Sequence, residues 1–191
     1  MNHYKGKIFT WDVVNEPLNS WGSGELEDNV FHRYLGKDYI ADAFRLAHSI
    51  DPTLKLYMNE ILPNYTEKRA QAFYELIRTL KEDDVPIHGV GIQSHIMLDT
   101  SVDAFTAFMK SLTDLGLEVE VTELDARLPT FQSTRDPYQA QGEFYAKMLD
   151  ICLRNPSCKG MTFWGFSDKD CWFDDHPMLF PKPNEPYLFD A

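Results

Sequence analysis

No stretch of this chain approaches the eighteen or so consecutive apolar residues that a membrane-spanning helix needs. Nor is there a stripe of Lys and Arg to neutralise phosphates or anionic lipid, since 18 basic residues stand against 30 acidic ones for a formal net charge of −12. Neither nucleic acid nor membrane is therefore expected as a partner, and a neutral or cationic ligand suits the surface best. No His/Cys cluster has zinc spacing and no Gly-rich phosphate loop occurs, so neither metal nor cofactor is expected. The opening residues Met1-Asn2-His3-Tyr4-Lys5 hold no apolar segment of signal-peptide type. A leader was removed, was never present, or lay on an upstream stretch. Linkers and low-complexity tracts are lacking too, so residues 1–191 are read as one domain.

Cysteine is scarce, at three residues. Cys152 and Cys158 bracket "LRNPS", an Asn-Pro turn that could bring their α-carbons within disulfide range. Small buried thiols are an equally open reading of the spacing, and Cys171 is left over.

What is present is an alternation. Residues 8–15, 54–59, 88–96, 117–125 and 160–166 read as strands. The first reads as continuous rather than alternating, as expected of a parallel strand buried on both faces. Between them lie helical patterns. Residues 38–50 place Ile40, Ala43, Phe44 and Ala47 on one face. Residues 66–84 do the same with Ala70, Phe73, Ile77 and Leu80, with Thr66 as a candidate N-cap. Residues 101–115 run through Phe105, Phe108, Met109 and Leu112 to Gly116, and the last helix opens at Asp136-Pro137 and reaches about Arg154. Strand and helix in strict turn predict an α/β fold with a parallel sheet and crossover helices.

Several strands end in residues suited to chemistry: Asn15-Glu16, then Gln93-Ser94-His95, then Glu123-Leu124-Asp125, with Trp164, Asp168, Lys169 and Trp172 after the last. A strand-end Glu by itself is usually a capping or solvated residue. Convergence on one rim is what a (β/α) barrel uses to assemble a site at its C-terminal strand ends. Two carboxylates facing across such a mouth suit glycoside hydrolysis, one protonating the leaving oxygen and the other attacking or stabilising the anomeric carbon.

"WDVVNEP" resembles the fourth-strand motif of the retaining glycosidases built on (β/α)8 barrels. "LGKDYIADAFRLAHSIDPTLKLYMNE", "VGIQSHI", "VEVTELD" and "CLRNPSCKGMTFWGFSDKDCWF" narrow the resemblance to glycoside hydrolase family 10, the endo-β-1,4-xylanases, over roughly residues 5 to 175. The resemblance implies Glu16 as acid/base and Glu123 as nucleophile, with carboxyls about 5–5.5 Å apart for a retaining mechanism. It implies Asn15 on the sugar 2-hydroxyl, Gln93 against the acid/base, and His95 beside the nucleophile with Asp125 as its orienter. Trp164 and Trp172 would wall the site, while Asp168 and Lys169 carry no catalytic expectation. Cys152 and Cys158 would be bridged, which implies an oxidising, extracellular setting. Xylan or a xylo-oligosaccharide is the implied substrate.

Two departures stand out. "NEILPNY" replaces the family's usual Asn-Asp-Tyr-Asn, and Tyr65 is a candidate to resupply the aromatic contact. The match also runs from the fourth barrel strand to the eighth, so a partial barrel is expected, lacking the first three strands and the last helix. Five parallel strands and four helices in an open arc would have unpaired edges, for which a second chain completing the barrel is one remedy. Rival expectations are a related β-glycanase acting on cellulose or mannan, and a catalytically silent fragment or carbohydrate-binding module.

Overall fold

A computed structural model describes residues 1–19, 24–62, 64, 65, 67–128, 136–181 and 184–189. Six strands and five α-helices occur among these residues: β1 Thr10–Asn15, α1 Val30–Leu35, α2 Tyr39–Ile50, β2 Lys55–Glu60, α3 Lys68–Glu82, β3 Gly89–Ile92, β4 His95–Met97, α4 Val102–Asp114, β5 Glu118–Arg127, α5 Pro137–Arg154 and β6 Cys158–Phe163. All the strand pairs are parallel, β1 on β2, β2 on β3, β3 and β4 on β5, and β5 on β6. This is an arc of a (β/α) barrel with five staves. The sixth strand arises because one expected strand, 88–96, is split. Ser94 takes φ 64°, and the register on β5 moves from Ile92↔Val121 to His95↔Asp125, three residues against four.

The helices form where apolar spacing demands them. Ile40, Phe44, Phe73, Ile77, Phe105, Leu112, Phe144 and Met148 point at the sheet and are buried, against Leu56, Met58, Val90, Ile92, Val119 and Val121 from the strands. Capping follows the local chemistry. Ser101 accepts from Ala104 N at 3.1 Å at the head of α4, and Asp136 accepts from Tyr138 N at 3.0 Å ahead of Pro137 in α5. The N-cap expected at Thr66 lies outside the described residues. Cys152 and Cys158 form a disulfide that ties the last turn of α5 to the start of β6, and Cys171 is free and buried.

Two expectations need correction. β1 is not buried on both faces: Val14 alone in it is buried, while Thr10, Asp12 and Asn15 are exposed. Among the described residues β1 pairs only with β2, so its outer edge and much of its surface meet solvent. The short helix α1 was not expected. Asn29 caps it, accepting from His32 N at 2.9 Å, but it buries none of its residues. Val30, Phe31, Leu35 and Leu46 instead line an apolar pocket of about 460 Å³ beside β1. The whole chain exposes 11104 Å², where a closed monomer of this length exposes about 9,400 Å². The excess is consistent with an open arc. No helix among the described residues is long and apolar enough to cross a membrane.

Candidate active site

The site gathers where the staves end. β1 reaches it through a bulge, its register with β2 shifting between Asp12 and Val14. Asn15 closes the strand and Glu16 follows with φ 50°, a left-handed conformation unusual for a side chain of this kind. Its N–H donates to Asn59 O at 2.9 Å. On the next stave but one, Gln93 is almost wholly buried and donates from Nε2 to Glu16 Oε1 at 2.9 Å and to Asn15 Oδ1 at 3.3 Å.

Asn59, at the end of β2, links the two carboxylates' surroundings. Its Nδ2 donates to Asn15 Oδ1 at 2.9 Å and to Glu123 Oε1 at 2.7 Å, and its Oδ1 accepts from Thr122 Oγ1 at 2.7 Å. That fixes which way the amide faces. Room for it comes from Gly91, where a Cβ would lie 2.3 Å from Asn59 Oδ1 and 2.9 Å from Thr122 Cγ2. Sequence reasoning missed Asn59, although a polar residue closing the apolar strand "LKLYM" was the same signal that exposed Asn15 and Gln93.

The other oxygen of Glu123 meets His95. The imidazole donates from Nε2 to Glu123 Oε2 at 3.1 Å and from Nδ1 to Asp125 Oδ2 at 2.8 Å. Burial opposes charge on the ring, but the hydrogen bonds and charges of the two carboxylates outweigh it and push its pKa up to about 9. At neutral pH it is an imidazolium, donating from both nitrogens. Trp172 Nε1 donates to the same Asp125 oxygen at 2.8 Å, and its ring meets His95 edge-on at 4.9 Å between centroids. Burial lifts the Asp125 carboxyl above its ordinary range, with His95 and Trp172 pulling the other way.

Glu16, Gln93, His95, Glu123, Trp164 and Trp172 all line one cleft of about 550 Å³, together with Ile61, Arg69, His176, Leu179 and Phe180. Trp164 is half exposed on its rim. Tyr65 does not supply an aromatic wall. It is buried, its hydroxyl 3.1 Å from Ser94 Oγ and its ring against Phe105 and Phe108, because its stretch of chain turns inward onto α4. Ile61 takes the position on the cleft instead. Asp168 accepts from Tyr187 N at 2.9 Å, outside the cleft. Among the described residues no group of three His, Cys, Asp or Glu is arranged to hold a metal ion.

The model of glycosyl hydrolase family 10 matches residues 1–191. Endo-1,4-beta-xylanase A of Humicola insolens is 36% identical over 189 residues, which are 98% of this chain and 49% of that protein. Native xylanase 10B from Thermotoga maritima superposes with a TM-score of 0.87 at 36% identity, covering 98% of this chain and 57% of that one. The intracellular xylanase TsXylA from Thermoanaerobacterium saccharolyticum JW/SL-YS485, in a mutant complex with xylotriose, superposes at 0.85 with 34% identity over 100% of this chain and 56% of that one. The chain thus spans about half the length of the relatives it matches.

Proposed function

The chain belongs to glycosyl hydrolase family 10, and from that premise we propose that it carries the cleft of a retaining endo-β-1,4-xylanase, with Glu16 as acid/base and Glu123 as nucleophile. The observation that carries this reading is the pair of carboxylates lining one cleft, joined through Asn15, Asn59 and Gln93 and backed by the His95 imidazolium. In the first step Glu123 attacks the anomeric carbon as Glu16 gives its proton to the leaving oxygen. The bond to that oxygen breaks and a glycosyl-enzyme ester forms. Glu16, now ionised, takes a proton from water, which displaces Glu123 and restores the starting configuration.

The other residues aim these two. Asn59 and His95 each hold one oxygen of Glu123, and Asp125 keeps the His95 ring in place. Asn15 Oδ1 is occupied by Asn59 and Gln93, and its Nδ2 has no acceptor among the described residues. That amide is the donor for the sugar 2-hydroxyl, a contact that strengthens in the transition state. Trp164 and Trp172 offer ring faces to xylose units. The substrate is xylan or a xylo-oligosaccharide, a reading supported by the xylotriose held by a structural neighbour. The Cys152–Cys158 disulfide supports an extracellular setting.

Completion of the ring, by further staves of the same polypeptide or by a second chain, is part of the proposal. The exposed β1 edge and the apolar pocket beside it support that part. The openness of the arc also favours a rival, a silent piece that keeps the two glutamates without turnover.

The test is nitrophenol release from an aryl β-xylobioside, with Glu123→Ala in parallel and the product anomer followed by proton NMR. Turnover lost in the variant, with β-xylobiose formed first, is the expected result. Initial α product would sink the retaining mechanism. Soluble protein with no turnover above the variant would favour the silent piece.

A further inference from the structure

Glu16 holds a left-handed backbone conformation, which persists only where the flanking structure over-determines it. Upstream, the β1–β2 ladder and the bond to Asn59 O supply that constraint. Downstream, the chain leaves the sheet at Pro17. There the turn is gripped by an ion pair from two other elements, Glu60 at the end of β2 and Arg69 at the start of α3, 2.8 Å apart.

Leu18 gives both backbone groups to that pair: its N–H donates to Glu60 Oε2 at 3.1 Å, and its carbonyl accepts from Arg69 Nη2 at 3.2 Å. Arg69 Nη1 donates to Asn19 O, and Nε to Ile61 O at 3.1 Å. Glu60 Oε1 also accepts from Ile61 N at 2.8 Å. Glu60 is fully buried and Arg69 nearly so. A buried pair of this kind is a poor source of stability, since well-packed apolar residues often serve as well or better. What apolar residues could not do is receive and donate the hydrogen bonds that fasten Pro17–Asn19 two residues beyond the acid/base.

We propose that the Glu60–Arg69 pair is the positioning device for Glu16, setting the distance of its carboxyl from the leaving oxygen by anchoring Leu18 to β2 and α3. The inference rests on the reading of Glu16 as acid/base. Arg69 also lines the cleft, but neither Glu60 nor Arg69 hydrogen-bonds to Glu16 or Glu123 among the described residues, and the bonds of the pair beyond itself go to backbone groups of Leu18, Asn19 and Ile61.

The experiment compares wild type with the charge-neutral Glu60→Leu/Arg69→Met double variant and with Arg69→Lys, which keeps the charge but not the planar fork. Two quantities are read alongside the urea midpoint. The first is the Gln93 side-chain amide resonance, which reports the bond to Glu16 whether or not the chain turns over. The second is kcat/KM on phenyl against 2,4-dinitrophenyl β-xylobioside, because only the poorer leaving group needs the acid. A displacement near 1 Å is expected to lower the phenyl-to-dinitrophenyl ratio by about 100-fold in the double variant, with the Gln93 resonance moved and Arg69→Lys between the two. An unchanged ratio, both substrates falling together with the midpoint, would overturn the proposal and leave the pair a structural one. If wild type itself shows no turnover, the functional reading fails on its own, and the resonance decides: moved supports the positioning role, unmoved overturns it. Should the double variant not fold, Arg69→Lys carries the same readouts.

Discussion

The two carboxylates of the cleft live in different parts of the arc. Glu123 lies in the second half of β5, a stave with neighbours on both sides, and is 8% exposed, with each oxygen held by a side chain from another stave. Glu16 follows β1, an edge stave, is half-buried, and has Gln93 on one oxygen. The centre of the arc makes its own site from packed strands. The edge carries a carboxylate whose own residue makes a left-handed backbone turn, and it leaves apolar surface uncovered. At the centre both oxygens of a buried carboxylate are held by neighbouring staves, and at the edge one oxygen is held by Gln93 while the backbone on either side is fastened by other elements.

If that contrast is sound, the largest difference should appear in packing. Phe73→Ala, beneath the middle staves, is expected to cost about 3–5 kcal/mol. Phe9→Ala, at the edge and 65% exposed, should stay within about 0.5 kcal/mol. Urea midpoints check both, and similar losses would mean that the edge is covered in solution.

The next effect is alkaline. The pKa of His95 is raised to about 9 in the fold, from about 6.5 unfolded. The folded protein therefore binds the extra proton between these values, and its stability is complete below about 6.5 and falls as pH rises through about 9. The loss is on the order of 3 kcal/mol. Urea midpoints between pH 6 and 10 should slope downward in wild type and be flatter in His95→Gln. Equal slopes would place the proton elsewhere.

The smallest contrast is between two glycines. Gly91→Ala pushes a Cβ into Asn59 and should cost about 1–3 kcal/mol, with a matching loss of turnover. Gly160→Ala, on edge strand β6, brings a Cβ no nearer than 3.8 Å to Glu120, and should be close to neutral. Thermal unfolding of the two variants decides, and equal costs would remove the distinction between centre and edge.

Much of this was legible in the chain itself. The helical faces of Ile40–Phe44 and Phe73–Ile77, the Asp136 cap, and the placing of Glu16 and Gln93 just past the ends of strands follow from local spacing, whereas His95 opens β4 and Glu123 lies four residues short of the end of β5. The Cys152–Cys158 bridge was one of two readings of the spacing, and the resemblance favoured it. These signals span a few residues, and physics acts on them over the same range: the 3.6-residue turn, the alternation of a strand, the cap that satisfies a free N–H. The tertiary structure decided the rest. It joined Asn59 to Glu123 across 64 residues and Arg69 to Leu18 across 51. It also turned Tyr65 inward, split the third stave at Ser94 and left β1 in solvent. Each of these depends on the register between staves that lie far apart in the chain, and a one-residue slip there changes which side chains meet.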